Sequence, residues 1–479
     1  MSTALTKNEQ LKQFLQGERN IATPFELSFD SIQGNSVFTC SQVLRLLPGK
    51  RLVLKANEGE QQLAIKLFAS AQKGQREYNK ELKGHALAKA AGVNVPDLVV
   101  SYAEASDYFA VAYEFLTDTE SFSSETVGKK PQVVANTVEM VAKMHDYGIF
   151  QQDIHLDNIL LQNDKIYLID LGSVACETEG QALKKSKSLA NLALFVAQFY
   201  PMDQDKLIPL LQNYYQARSW PWNDEEQAQF LKVLKPIWLK RKQDYLNKCF
   251  RSCSMTEYGH NFPNEYAFRR DYFQTDIRDF INNIEQLMSE GETLKAGNSA
   301  TVVKVTYDNK TIVIKRYNVK SIWHFIRRCL RQSRAAVSWR NANLLEFINL
   351  PTLKPVGFIE KRKSWLRHTA YFISEYQDAA ELLDVYQQRQ ASEEELEQIK
   401  AIFDLMQKTQ ISHGDLKAQN LLLNAQGKVS LIDLDSMQEH QNAEQFQKAF
   451  NKDKKRFLRN WQEPKIKKIF TSFIDLSSE

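Results

Sequence analysis

One pattern occurs twice in this chain, and any fold must accommodate both copies: an Asp, four residues, an Asn, an apolar run, a short polar turn, an apolar strand and a second Asp. The first copy starts Gln151-Gln152-Asp153-Ile154-His155-Leu156-Asp157-Asn158 and closes on Leu168-Ile169-Asp170-Leu171-Gly172. The second starts Ser412-His413-Gly414-Asp415-Leu416-Lys417-Ala418-Gln419-Asn420 and closes on Leu431-Ile432-Asp433-Leu434-Asp435. The two Asp residues are 17 positions apart in the first copy and 18 in the second. Upstream of each lies a Lys in an apolar strand, Lys66 or Lys315, followed by a helical stretch. A repeat this long means tandem domains rather than a solenoid.

With 479 residues the chain has room for two to three domains. A net charge of +4 does not point to nucleic acid, and none is expected as a partner. The five cysteines are too few and too scattered for a disulfide framework. Cys249 and Cys253 form a lone CxxxC without a second ligand pair, which reads as an incidental thiol pair. The polar start of the chain lacks the apolar core of a secretory signal. The longest apolar run, Leu189 to Tyr200, is too short for a bilayer. These features lead to the expectation of a cytoplasmic protein.

The expected class is α+β, with two tandem bilobal domains, each a small antiparallel-sheet lobe followed by a helical lobe. Residues 1–25 read as a helical lead-in, 26–218 as domain 1, 219–285 as a helical connection, and 286–479 as domain 2 with a basic C-terminal tail. Strands are expected from about Ser36, around the Pro48-Gly49 turn, at Leu63–Phe68, and at two sites beyond a helix over Arg76–Ala91. Domain 2 restarts the order: a strand–turn–strand at Thr293–Val305, a strand at Thr311–Arg316, and a long basic helix over Ser321–Phe347.

This order of residues is what phosphoryl transfer requires, because that reaction depends on positioning and charge neutralisation. The protein-kinase template needs a strand Lys, a helix Glu paired with it, an H-R-D-L-x-x-x-N loop and an Asp on magnesium. His413-Gly414-Asp415-Leu416-Lys417-Ala418-Gln419-Asn420 fits that loop at all but the Arg. Asp415 is then the candidate catalytic base, with Asn420 and Asp433 as metal ligands. Lys315 and Gly297, the latter in a remnant of a glycine-rich loop, would serve ATP. In domain 1 the corresponding residues are Asp153 as base, Asn158 and Asp170 for metal, and Lys66 with Glu81 for the nucleotide. Domain 1 lacks the phosphate-cradling loop and has Gln151 where the loop His belongs. Domain 2 lacks the helix Glu: aligning Pro351 with Pro96 puts Ala336 opposite Glu81. The fuller loop favours domain 2 as the catalytic half, with activity in both left open. His155 reads equally as a small-substrate feature and as a plain loop residue.

On these motifs both halves resemble the kinase-like phosphotransferases of the lipopolysaccharide core, the heptose and Kdo kinases. They are also similar to the wider atypical group with the RIO and aminoglycoside kinases. The resemblance implies an ATP- and Mg2+-dependent kinase acting on a heptose- or Kdo-type sugar hydroxyl of core glycolipid, at the inner face of the cytoplasmic membrane. Arg316–Arg340 carries seven Lys and Arg with no acid and interleaved aromatics. Such a helix suits an anionic membrane surface or phosphorylated glycan, against the plain reading of a solvated basic face. Two rivals stay open: a pseudokinase scaffold, and a RIO-like protein kinase, which lacks an Ala-Pro-Glu segment here. Oligomeric state is not legible.

Overall fold

The computed structural model describes residues 9–31, 34–69, 72–102, 108–273, 276–318, 332–363 and 366–474. The chain forms two compact units, Met1–Trp238 and Leu239–Glu479.

Unit 1 begins with helix α1 (Glu9–Gln16) and a six-stranded antiparallel sheet. Its strands are β1 (Phe25–Ser31), β2 (Gly34–Leu47), β3 (Arg51–Glu58), β4 (Gln61–Ala69), β5 (Leu98–Tyr102) and β6 (Tyr108–Glu114), in the order β1-β2-β3-β4-β6-β5. Alternation decides which face each side chain takes. Leu52, Leu54 and Ala56 of β3 and Leu63, Ile65 and Leu67 of β4 are buried in one core. Lys66, paired across the strands with Val53, therefore lies on the other face. Helix α2 (Gln72–Ala90) covers that side and ends at Gly92, whose φ of +71 is a left-handed cap. The helical half follows: α3 (Thr126–Lys129), α4 (Pro131–Asp146), α5 (Lys185–Val196) and α6 (Pro201–Ala217). The short strands β7 (Glu120–Ser121), β8 (Ile149–Gln151), β9 (Ile159–Gln162), β10 (Lys165–Leu168) and β11 (Val174–Cys176) carry the first Asp/Asn loop between them.

Strand β1 was not expected. Phe25, Leu27 and Phe29 are buried, with Glu26 and Ser28 outward, a period-2 pattern that starts at the last residue of the expected lead-in and precedes the first expected strand at about Ser36.

The two units divide inside helix α7 (Asp224–Lys248). The rest of the expected helical connection is largely not a connection. Strands β12 (Thr256–Asn261) and β13 (Asn264–Arg269) form a hairpin that joins the unit 2 sheet through β17. Phe268 and Ala267 anchor it in unit 2 cores. Helix α8 (Ile277–Glu290) follows, capped by Asp276, and buries Phe280, Ile281 and Ile284.

Unit 2 then runs β14 (Glu292–Ala296), β15 (Ala300–Tyr307), β16 (Lys310–Tyr317), α9 (Arg334–Ile348), β17 (Pro355–Lys363) and β18 (Leu366–Glu375). Its sheet order is β12-β13-β17-β18-β16-β15-β14. Lys315 pairs with Val302 as Lys66 does with Val53, so both lysines occupy the same register position. The helical half holds β19 (Ala379–Glu381), α10 (Leu382–Gln388), α11 (Glu393–Thr409), β20 (Ile411–Ser412), β21 (Leu421–Asn424), β22 (Val429–Leu431), β23 (Gln438–Glu439), α12 (Ala443–Arg459) and α13 (Pro464–Phe473). Of the expected long basic helix, Arg334–Ile348 is α9, and 319–331 lie outside the described residues.

Candidate active site

The repeated sequence is a repeated backbone. Asp170 and Asp433 both adopt left-handed φ/ψ, 58/59 and 63/53 degrees, a conformation that costs a non-glycine residue energy and is usual at functional turns. The amide before each Asp bonds back to the loop Asn: Ile169 N–H to the Asn158 carbonyl at 2.8 Å, Ile432 N–H to the Asn420 carbonyl at 3.0 Å. Each loop Asn also donates its side-chain amide to the carbonyl of the first Asp, Asn158 to Asp153 at 3.3 Å and Asn420 to Asp415 at 2.8 Å. The three expected residues of each copy are thus tied together by bonds that depend only on their spacing.

In unit 2, His413 is fully buried and its Nε2 donates to the Ile432 carbonyl at 2.9 Å, a second tie between the loop and the strand carrying Asp433. Asp453 of α12 accepts from the backbone N–H groups of His413, Gly414 and Leu416 at 2.7, 3.0 and 3.3 Å. A carboxylate taking three loop amides is strongly charge-assisted and holds the loop shape. Asp415 is partly open and is flanked by two cations, Arg456 at 3.0 Å and Lys417 at 3.3 Å. Lys315 pairs with Asp433 and lies 3.9 Å from Asp435. Burial pushes the Asp433 carboxyl up, and Lys315 outweighs it, holding the group below the usual range.

Unit 1 holds its Lys differently. Lys66 donates to Glu81 at 2.5 Å, and Glu81, fully buried, also accepts from the Gly172 N–H at 2.9 Å and the Tyr113 hydroxyl at 3.3 Å. The expected Lys–Glu pair is therefore formed. In unit 2 the helix caps give the equivalent register. Val93 N–H bonds the Ala88 carbonyl as Leu350 N–H bonds the Leu345 carbonyl, and Gly92 matches the left-handed Asn349. That register sets Ser338, not Ala336, opposite Glu81. Ser338 is buried and hydrogen-bonded to the Tyr317 hydroxyl at 2.8 Å. Glu346 pairs with Arg269 instead. The acid comes from elsewhere. Asp435 stands two residues after Asp433, where Gly172 follows Asp170, and its carboxylate meets both Lys315 and Arg334, the latter at 2.6 Å. A Cβ on Gly172 would sit 3.0 Å from the Glu81 carboxylate, so a side chain there needs that carboxylate to shift by a few tenths of an ångström.

Oxygen donors from an Asn and an Asp suit a hard divalent cation. The unit 2 pair fits. The Asn420 amide nitrogen is spent on Asp415, leaving its oxygen to offer, and Lys315 has Asp435 as a second partner when Asp433 is used. The expected unit 1 pair, Asn158 and Asp170, does not fit. Asp170 is engaged by Arg51 at 3.0 Å and by Lys66 and Arg45 at 3.6 Å each. Burial raises its carboxyl and these three cations outweigh that, holding it low. Gly297 lies in the β14–β15 turn as expected, but its N–H is spent on the Ala300 carbonyl at 3.0 Å, so other amides of the turn must face any phosphate.

The basic run is partly committed inside the unit. Arg316 pairs with Glu285 at 2.8 Å, Arg334 with Asp435, and Arg340 with Glu439 at 2.8 Å. These three are not an open membrane-facing stripe. Among the described residues no helix is long and apolar enough to cross a membrane.

Residues 280–472 match the Lipopolysaccharide kinase (Kdo/WaaP) family. On that match the protein is a kinase-type phosphotransferase, with ATP as the donor the family implies. The matched span lies wholly in unit 2. Two solved structures are similar in part. One is a choline/ethanolamine kinase family protein from Mesorhizobium loti, with 12% identity and a TM-score of 0.29, covering 42% of this chain and 79% of that one. The other is WbdD with a kinase inhibitor, with 15% identity and a TM-score of 0.29, covering 45% of this chain and 48% of that one. Likenesses of this size carry no functional argument. No curated protein sequence matches the chain.

Proposed function

We propose that unit 2 transfers the γ-phosphate of ATP to a heptose- or Kdo-type hydroxyl of the lipopolysaccharide inner core. The observation that carries this is the double tie, His413 Nε2 and Ile432 N–H, that binds the Asp415–Asn420 loop to Asp433. Asp415 accepts the proton of the sugar hydroxyl, its carboxylate oriented by Arg456 and by Asn420. Lys315 holds nucleotide phosphate, and Asp435 and Asp433 hold Lys315. Asn420 and Asp433 are the residues that would hold magnesium, which when bound neutralises charge between the phosphates.

The wider reading is of two kinase-like domains in tandem, 26–218 and 286–479, with catalysis in the second. The β12–β13 hairpin supports adding residues from 256 onward to the second domain. Access to a glycolipid substrate calls for a protein at the cytoplasmic face of the inner membrane, held by the charges of Lys320, Arg327, Arg328 and Arg331 rather than by the three internally paired arginines.

The test is incorporation of labelled phosphate into deacylated core glycolipid from a strain lacking this chain, with ATP and magnesium. Incorporation that disappears in Asp415→Ala supports the reading. No incorporation by the wild-type chain, or full activity of Asp415→Ala, sinks it.

A further inference from the structure

Unit 1 encloses a cleft of about 510 Å3 between its sheet and the first Asp/Asn loop. That volume is within the range of small-molecule sites. The cleft's lining is of two chemical kinds. Val53, Ala64, Leu116 and Leu160 supply apolar surface of the kind that takes a flat base. Arg45, Arg51 and Lys66 gather around Asp170. Arg45 lies two residues before the end of β2 and Arg51 opens β3, and across the Pro48-Gly49 turn both guanidinium groups reach Asp170.

This hairpin occupies the place where a glycine-rich loop would offer backbone amides to phosphate. It offers guanidinium groups instead, which bind phosphate as two-pronged donors. Arg51 spends one donor on Asp170 at 3.0 Å, and its Nε is buried with no partner among the described residues. Meanwhile the metal position is filled. A divalent cation on Asp170 would have to displace three positive groups, whereas a polyphosphate would be attracted by the same three.

We propose that the unit 1 cleft binds a nucleoside triphosphate without a divalent cation, its phosphates held by Arg45, Arg51 and Lys66. Asp170 then acts as a placeholder counterion that the phosphates displace, not as a metal ligand. The site is separate from phosphate transfer in unit 2, and its test does not use that readout.

The experiment is calorimetric titration of the full chain with ATP in excess EDTA. One ATP per chain is expected to bind under these conditions. The Arg45→Ala/Arg51→Ala variant should weaken that binding at least tenfold while its thermal unfolding stays within a few degrees of wild type. Asp170→Asn, titrated both in EDTA and in magnesium, decides between clamp and metal site, because loss of a metal-ligating carboxylate predicts weaker binding in magnesium. The clamp predicts unchanged or tighter binding in EDTA, since a competing carboxylate has been removed. Absence of binding in EDTA, or loss of binding in Asp170→Asn, overturns the proposal. So does EDTA-resistant binding that the double Arg variant leaves unchanged.

Discussion

The two Asp/Asn loops share a backbone but are held in place by opposite chemistry. In unit 2 a single carboxylate, Asp453, takes three loop amides directly. In unit 1 the support is neutral and relayed. The Tyr214 hydroxyl donates to His145 Nδ1 at 2.7 Å, His145 Nε2 donates to Asn191 at 3.0 Å, and the Asn191 amide donates to the Gln151 carbonyl at 2.8 Å. The Lys anchors are also exchanged: a buried helix Glu in unit 1, and Asp433 with Asp435 on the turn after the apolar strand in unit 2. The lesson is that loop geometry can be preserved while its electrostatic support is rebuilt. The support then tells the halves apart where the motif does not. Asp433 has one ion-pair partner among the described residues, Lys315, with Arg334 acting on it from further away, while Asp170 pairs with three cations.

The most severe way to break this comparison is at the first Asp of each loop. Asp415→Ala should lower phosphate incorporation by about a thousandfold or more, the scale of losing a general base and its placement. Asp153→Ala should change it less than about twofold. The reverse pattern in a steady-state assay would assign catalysis to unit 1.

Next come the lysines. Lys66→Ala leaves Glu81 buried without its cation, held only by the Gly172 N–H and the Tyr113 hydroxyl, which should destabilise unit 1 by roughly 3–4 kcal/mol. Lys315→Ala leaves Asp433 a third exposed and able to rehydrate, so its cost should be about 1 kcal/mol or less while activity is lost. Urea unfolding of both variants measures the difference, and equal costs would dissolve the contrast.

Acid should strike unit 1 first. Burial pushes His145 down from 6.5 to about 4. A folded-state value below the unfolded one means that the unfolded chain takes up the extra proton between them. Stability is therefore fully present above about pH 6.5 and falls as pH drops toward 4, by roughly 3 kcal/mol over that window. His145→Gln should flatten this slope in pH-dependent thermal unfolding. A slope identical to wild type would remove His145 from the account.

The smallest effect expected is an exchange of anchors. Asp435→Gly should cost about 10- to 30-fold in phosphate transfer by loosening Lys315, or roughly 2 kcal/mol. Adding Ser338→Glu rebuilds the unit 1 arrangement and should recover part of that loss. Recovery by Ala336→Glu instead would overturn the register drawn from the helix caps.

The sequence was informative wherever chemistry is local. The Asp, Asn and second Asp of each copy lie within 18 positions, and the turns joining them leave little freedom, so their meeting could be anticipated. Lys66 with Glu81 was legible for the same reason, a strand and the helix after it. The β12–β13 hairpin was not, because Thr256–Asn261 reads as mixed polar and aromatic residues without clean alternation, and its sheet partner β17 lies about ninety residues on. Arg456 and Asp453 were missed because α12 reaches the loop from some forty residues away, on a helix whose basic residues read as a tail.

By itself the sequence determined that two copies of one Asp/Asn loop with a strand-end Asp exist, since a spacing of acids, amide and apolar strand is a property of the chain. The fold alone decided what neutralises each acid. Arg51 meets Asp170 across 119 positions, and Lys315 meets Asp433 across 118. Coulombic partnership depends on distance in space, and no periodicity along the chain encodes it.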